Sequence, residues 1–462
     1  MTARTTPTTT DRRTRTALVI GGGVAGLVAA MALRKAGIEA SVYEAGAGEA
    51  PAGEARATYD AKSSGGDRGR DRGRDRGRDR GRDRDRGRGR DRGRGRGGGM
   101  TIAPNGMQAL EAIDAAETVS AIGTPVTSLG LRSWTGRHLA QLTPPTDLPT
   151  TRFVWRTELG EALWAEASRR GVPLHRGKRL LDATDTGAGV TARFSDGSLA
   201  RADILIGADG LRSTVRALID PTTPKPHYAG VLTFTARVDA TQLPATDGVL
   251  YMCYGKKAYF GYQIFADGSA AWFVNLPHRE PMTSAEAQTV GAREWLKRLG
   301  EAFADDRTAA PDLVRETAPE DLLITGPTET MPPVTSWSRG RMILIGDAAH
   351  ATPATSGQGV SLATESAVEL ARCLRDLPPR AAFRAYESLR RPRVDRILKH
   401  TTATTTATSA AARTATPKPA GPLSRALRDA VLPVATKVGG GGGAVWGAWQ
   451  FEHRIDWDER VG

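Results

Sequence analysis

The chain is poor in the residues that build several common kinds of chemistry. It has two cysteines in 462 residues, Cys253 and Cys373, far apart in sequence. That excludes a disulfide-built scaffold and suits a reducing cytoplasm. Its seven histidines (His138, His175, His227, His278, His350, His400 and His453) are scattered, and no pair has the spacing of metal ligands. No metal is expected. There is no G-x-S-x-G segment, so nothing marks a strained turn presenting a nucleophilic serine. No apolar run approaches the roughly 20 residues needed to cross a bilayer, and no membrane partner is expected. Aromatic residues are only 6% of the chain. Seven of them, Tyr251, Tyr254, Tyr259, Phe260, Tyr262, Trp272 and Phe273, gather in one stretch.

Three short motifs stand out, each following an apolar strand pattern. In the first, Ala17–Ile20 leads into Gly21-Gly22-Gly23-Val24-Ala25-Gly26 and a helix from Val24 to Lys35. Gly21 permits a tight turn, Gly23 lets the backbone approach a pyrophosphate, and Gly26 lets the helix pack close to the strand. The pyrophosphate then meets free N–H groups at the helix start, among them those of Val24 and Ala25. A second strand, Ala40–Tyr43, ends in Glu44, near the ~20-residue offset at which an acid contacts a ribose hydroxyl. Arg12, Arg13 and Arg15 before an apolar stretch mimic a secretory signal. The ordered strand ending in Glu44 argues against that reading.

The second motif is Ile204-Leu205-Ile206-Gly207-Ala208-Asp209-Gly210, with a helix expected over Ser213–Leu218. Taken alone, Asp209 reads as a helix cap. The third is Met342-Ile343-Leu344-Ile345-Gly346-Asp347-Ala348-Ala349-His350. Asp347 would stand beyond the carboxyl end of its strand, where open α/β sheets bind ligands, and could accept hydrogen bonds from polyol hydroxyls. Gly357, Gln358 and Gly359 follow, then a helix from about Val360 to Leu374. A glycine-flanked helix start offers N–H groups and positive dipole to an anion such as a reduced flavin. Three such motifs in this order narrow the chemistry to FAD-dependent oxidation.

On these residues the chain resembles the class A flavoprotein monooxygenases, the family of para-hydroxybenzoate hydroxylase, over most of residues 16 to 400. Two further stretches carry the likeness. Phe153-Val154-Trp155-Arg156-Thr157-Glu158-Leu159 is similar to the family's Arg-x-x-Leu helix start. Pro104-Asn105-Gly106-Met107 is similar to its Pro-Asn helix start. The resemblance implies an α/β fold, with a Rossmann-type, glutathione reductase-like FAD-binding domain and a second β-sheet substrate domain. The FAD-binding domain would occupy 16–228 and 325–400, the sheet 229–324, with tails at 1–15 and 401–462. The tail at 1–15 is expected to be disordered, and that at 401–462 to be helical and flexible. FAD would be held by Gly21, Gly23, Val24, Ala25, Gly26, Glu44 and Arg156. Asp209 and Gly210, then Gly346, Asp347, Gly357, Gly359 and Val360, would complete the site. NADPH or NADH would reduce FAD. O2 would then be carried as a flavin hydroperoxide to hydroxylate or epoxidise an aromatic or polyketide-like small molecule. No side chain must act as nucleophile, no catalytic base is assigned, and His350 reads as structural. Departures are Ala354, where the family commonly has a second proline, and Glu365-Ser366-Ala367, where it often has Glu-Asp-Ala.

The largest departure is an insert, Gly65–Gly99, without one apolar residue. It cannot bury surface to offset its ordering entropy, so disorder is expected. Between Asp67 and Arg96 it holds 15 arginines and seven aspartates, a net of +8 in a chain of +13. It lacks the interleaved aromatics that stack on bases, and a nucleic-acid partner is not expected.

Ala285–Phe303 reads as one helix and Leu423–Ala435 as another, beside a threonine-rich run and the flexible Gly439–Gly443. Oligomeric state is not legible. Other readings stay open: a related flavin reductase or halogenase, though no Trp-x-Trp-x-Ile-Pro segment occurs, or an arginine-rich RNA-binding protein on a relict scaffold. Excising 65–99 separates the enzyme from the RNA-binding reading. The enzyme keeps bound flavin and turnover, whereas an RNA-binding protein loses a salt-sensitive RNA affinity in a filter-binding assay.

Overall fold

The computed structural model describes residues 13–46, 98–352, 356–408, 421–438 and 447–462. Residues 1–12 of the tail expected over 1–15, nearly all of the insert, residues 409–420, Gly439–Gly443 and the Pro353–Ala354 pair lie outside the described residues. Residues 13–15 do not behave as a disordered tail, since Thr14 is buried and the Arg15 N–H donates to Asp203 at 2.7 Å.

The first layer is a six-stranded sheet in the order Ser338–Arg339, Met342–Leu344, Ile204–Gly207, Thr16–Ile20, Glu39–Tyr43, Leu174–His175. All its pairs are parallel except the outer hairpin-like pair of Ser338–Arg339 with Met342–Leu344. Strands buried on both faces read as continuous apolar runs, which is why Ala-Leu-Val-Ile, Ile-Leu-Ile and Met-Ile-Leu were recognisable. The register is level: Ile20 pairs with Gly207, and Gly207 with Leu344. The three motifs therefore leave the sheet side by side at one edge.

Two helices cover this edge. The helix Val24–Lys35 is buried continuously from Gly26 to Leu33, packed against the sheet, the helix Arg156–Arg169 and the helix Gly359–Asp376. The latter is itself buried from Ser361 to Leu374. A helix hidden all round carries no clean apolar stripe. At Gly26 an added Cβ would lie 1.9 Å from the Gly21 carbonyl oxygen, so this position admits no side chain.

The second layer is a seven-stranded, mostly antiparallel sheet in the order Leu322–Thr330, His227–Val238, Ala270–Pro277, Tyr259–Ile264, Val249–Tyr254, Ser128–Ser133, His138–Leu142. It reaches beyond the 229–324 expected for it, since Ser128–Ser133 joins Val249–Tyr254 in parallel. A pairing across more than 100 residues leaves no local signal. Phe260, Tyr262 and Ile264 share one buried cluster with Trp295, Leu299 and Phe303, so that face is covered by helices. The helix expected over Ala285–Phe303 is two, Ser284–Val290 and Ala292–Phe303, broken at Gly291 with φ +87°. On the opposite face Leu250 and Ala271 pack with Phe153 and Trp155, from the strand Thr151–Trp155 that leads into Arg156.

That strand pairs with Gly99–Ile102, and the Arg156 N–H donates to Gly98 O at 3.0 Å. Gly98 and Gly99 thus belong to the folded sheet rather than to the insert, and an excision that spares the sheet stops at Gly97. Gly26→Ala is expected to cost about 2 kcal/mol, within the range for overpacking a tight contact. Gly23→Ala, where a Cβ meets nothing within 4 Å, should leave stability unchanged. Chemical denaturation of the two variants checks the contrast.

Candidate functional site

The glycine turn closes as its spacing demands. Gly21 adopts φ +106°, and a Cβ there would sit 2.3 Å from Ala208 O, so the first motif is pressed against the second. Gly23 faces open space. It begins the helix Val24–Lys35 with no side-chain cap and no acid in the first turn. The first N–H groups of that helix, Val24 and Ala25 included, have no intrahelical acceptor, and the cleft before them is open to an anion. Glu44 stands beside the turn: its carboxylate accepts from Gly22 N–H at 2.6 Å and Gly46 N–H at 2.8 Å.

Asp209 is used locally. Its carboxylate accepts from Ser213 Oγ (2.5 Å), Thr214 N–H (2.7 Å) and Val215 N–H (3.1 Å). It caps the helix Thr214–Ile219 together with Ser213. Burial pushes its carboxyl above the ordinary range while these donors oppose the push. Gly210 follows with φ +75°. The buried Arg216 was not anticipated. It donates from Nη1 to Ala348 O at 3.0 Å and from Nη2 to Leu211 O, tying the second motif to the third. Only its place one turn into the helix after Asp209-Gly210 hinted at this.

Gly346 turns at φ +57°, with Ala25 2.9 Å from where its Cβ would be. The first helix and the third motif meet there, and Asp347 is delivered to the mouth between them. The Asp347 carboxylate is reachable by solvent yet ringed by protein, as a group lining a cleft must be. That crowding pushes its carboxyl up, and the positive charge of Arg156 opposes the push. The glycine turn and Asp347, more than 300 residues apart in sequence, share one end of the sheet, and Arg156 comes near enough from the strand Thr151–Trp155 to act on the Asp347 charge.

Gly357 (φ +63°) and Gly359 precede Val360 at the start of the long helix, where no side chain caps the first N–H groups. Thr352 Oγ1, 3.1 Å from where a Gly359 Cβ would be, is buried without a hydrogen-bond partner. Behind this helix start lies a polar cluster. The fully buried Asn105 donates to Gln358 Oε1 at 3.1 Å and to Glu365 Oε1 at 2.5 Å. Glu365, equally buried, pairs with Arg390 at 2.6 Å and Arg393 at 2.8 Å. Burial opposes its charge, but the two guanidiniums win and hold its carboxyl at about 2. Sequence reasoning gave Glu365 only as part of a family departure. Its arginine partners come from a different helix, so no spacing showed them. His350 is buried, with Nε2 2.8 Å from Ser366 Oγ. Burial and Arg390 push its pKa down to about 3. It holds the helices together and stays neutral.

An uncapped glycine turn before open space, an acid beside it, a cleft carboxylate opposite an arginine and an orphaned hydroxyl make a donor and acceptor set that fits a dinucleotide with a polyol chain. The FAD binding domain family matches residues 89–401, and an NAD(P)-binding Rossmann-like domain matches residues 19–63. The chain belongs to the FAD-binding family of the class A flavoprotein monooxygenases. It is 29% identical over 397 residues to the FAD-dependent urate hydroxylase of Klebsiella pneumoniae subsp. pneumoniae, covering 83% of this chain and 88% of that one. It is 27% identical over 399 residues to the chloroplastic zeaxanthin epoxidase of an Oncidium hybrid cultivar, covering 82% of this chain and 53% of the relative. The chain thus spans about half the length of the zeaxanthin epoxidases it matches. Its fold is that of Klebsiella pneumoniae HpxO complexed with FAD and uric acid, with a TM-score of 0.70 at 21% identity over 93% of this chain and 96% of that one.

Two predictions come from this site. Asp347→Ala should lower the flavin content of the purified protein and raise the Kd for added FAD on the order of tenfold, the worth of about one hydrogen bond. Unchanged flavin content, read at the flavin absorbance maximum, removes Asp347 from the site. Glu365→Gln leaves Arg390 buried and unbalanced, and should cost about 3 kcal/mol. Because the Glu365 pKa is depressed in the folded state, its contribution is full above the ordinary 4.5 and is lost as pH falls toward about 2. The stability gap between wild type and variant should therefore shrink over that window in acid titrations followed by circular dichroism.

Proposed function

We propose that this protein is an FAD-dependent monooxygenase that uses NAD(P)H and O2 to hydroxylate or epoxidise an aromatic or polyketide-like small molecule. The observation that carries the reading is the convergence of the glycine turn and Asp347 at the carboxyl ends of three level parallel strands, with the positive charge of Arg156 acting on Asp347. A separate sheet faces Phe153 and Trp155 just before Arg156. Support also comes from the urate hydroxylase, which aligns over most of both chains. A cytoplasmic setting fits two buried, unpaired cysteines.

When bound, FAD would supply the redox chemistry, two-electron reduction at the expense of the nicotinamide and insertion of one oxygen atom of O2 into the substrate, the other leaving as water. The chain's own residues bind, orient and enclose. The N–H groups of Val24 and Ala25 would receive the pyrophosphate, Glu44 the ribose and Asp347 the ribityl hydroxyls. Arg156 would add positive charge beside Asp347. The uncapped helix start at Gly359 and Val360 would favour negative charge on the reduced ring. The apolar face formed by Leu250, Ala271, Phe153 and Trp155 would keep water from the reacting centre. No side chain is assigned as base or nucleophile. His350 is engaged with Ser366 and neutral far below physiological pH.

An absorbance spectrum of the purified protein, followed by NADPH addition in air with phenolic and polyketide substrates, tests the reading. Bound flavin with substrate-stimulated NADPH consumption and an oxygenated product is the expected result. Protein that takes up no flavin, even from added FAD, overturns it.

A further inference from the structure

The helix Pro422–Val438 docks with its charged side inward. Arg428 pairs with Asp429 at 2.7 Å, their side chains only 8% and 15% exposed. The Arg428 guanidinium lies 4.6 Å over the Tyr254 ring. Arg425 Nη1 donates to Lys256 O at 3.4 Å, and Leu432 joins the apolar cluster of Leu131, Leu139, Ala140 and Leu142. These contacts fix which face of the helix looks outward. Over the residues with described side chains that face is apolar: Leu423, Leu427 and Val431, one turn apart, are 85%, 65% and 51% exposed, and Ala426 and Ala430 between them are exposed too. They are among the few large apolar side chains the described residues leave in water. A helix that hides its arginines and shows its leucines inverts the usual surface arrangement.

We propose that this face seats the protein on an anionic lipid surface. Charge selects that occupant. Asp429, the one acid between Arg413 and Lys437, is balanced by Arg428; the rest of that stretch has four basic residues, Arg413, Lys418, Arg425 and Lys437, and no further acid in its sequence. Acidic headgroups attract such a segment. A second copy of the chain would bring the same positive charge against itself. No helix among the described residues is long and apolar enough to cross a membrane, so the helix lies in the interface with its leucines in the acyl boundary. The expectation of no membrane partner rested on the lack of a spanning segment, which bears on crossing a bilayer and not on lying on one. The proposal is independent of the monooxygenase reading.

The arginine-rich insert can itself adsorb to anionic vesicles, so the test must report insertion at this face rather than mere binding. Both native cysteines are fully buried, so Leu427→Cys in the full chain can be labelled selectively with an environment-sensitive nitrobenzoxadiazole. The labelled protein is mixed with phosphatidylcholine vesicles containing or lacking phosphatidylglycerol. The expected result is a blue-shifted emission with the anionic vesicles, quenched by acyl-chain spin labels. In cosedimentation at a salt concentration that screens the insert, Leu423→Glu with Leu427→Glu should lower vesicle binding on the order of tenfold or more. A label that stays in a water-like environment with anionic vesicles overturns the proposal, even if the protein cosediments. A blue shift without vesicles that grows with protein concentration also overturns it, and assigns the face to a second copy.

Discussion

Ile20, Gly207 and Leu344 stand abreast on three parallel strands, and the cofactor end of the molecule is built on that register. A shift of one residue in any of the three would turn its buried side chains the other way and move its loop by about 3.3 Å along the sheet. Gly21 could then no longer press on Ala208, nor Gly346 on Ala25. The absence of side chains at these points lets the loops touch, and their touching places Glu44, Arg156 and Asp347 around one cleft.

A second constraint lies behind the cleft. Glu365 would be costly as a lone buried charge, as would Arg390. Joined with Arg393 and Asn105 they hold three elements in one arrangement: the Pro104–Glu111 helix, the long helix and the Pro379–Thr408 helix. The helix start at Gly359 is thereby held in place without depending on its own weak cap. His350 and Ser366 extend the same cluster toward the third motif, so the loop bearing Asp347 is anchored from behind while its carboxylate stays open in front. The site is thus rigid where it is buried and accessible where a ligand would enter.

Much of this was legible in the order of the residues. Gly21, Gly23 and Gly26 have spacing with one structural meaning. The Val24–Lys35 helix has the bounds its pattern suggested, and the apolar runs before each motif are the central strands. Asp209 reads as a helix cap when taken alone and as a cofactor contact on the family resemblance, and in the fold its carboxylate accepts from Ser213, Thr214 and Val215 at a helix start. The sequence was silent on Arg216, Arg390 and Arg393, because a buried arginine looks like any surface arginine until its partner is placed. It was silent too on the joining of Ser128–Ser133 to Val249–Tyr254 and on which face of Tyr259–Ile264 meets the helices.

By itself, then, the sequence determined the chemistry that short-range geometry controls: a glycine turn at a helix start, an acid after the next strand, a Gly-Asp turn after a third. These depend on backbone conformation and on neighbours within a few residues, so composition and spacing carry them. Only the tertiary structure decided which charges are neutralised, which carboxylate faces the cleft and which helix face is left apolar in water. Each of those depends on what a distant segment brings to within about 3 Å, the reach of a hydrogen bond, and no local pattern records that distance.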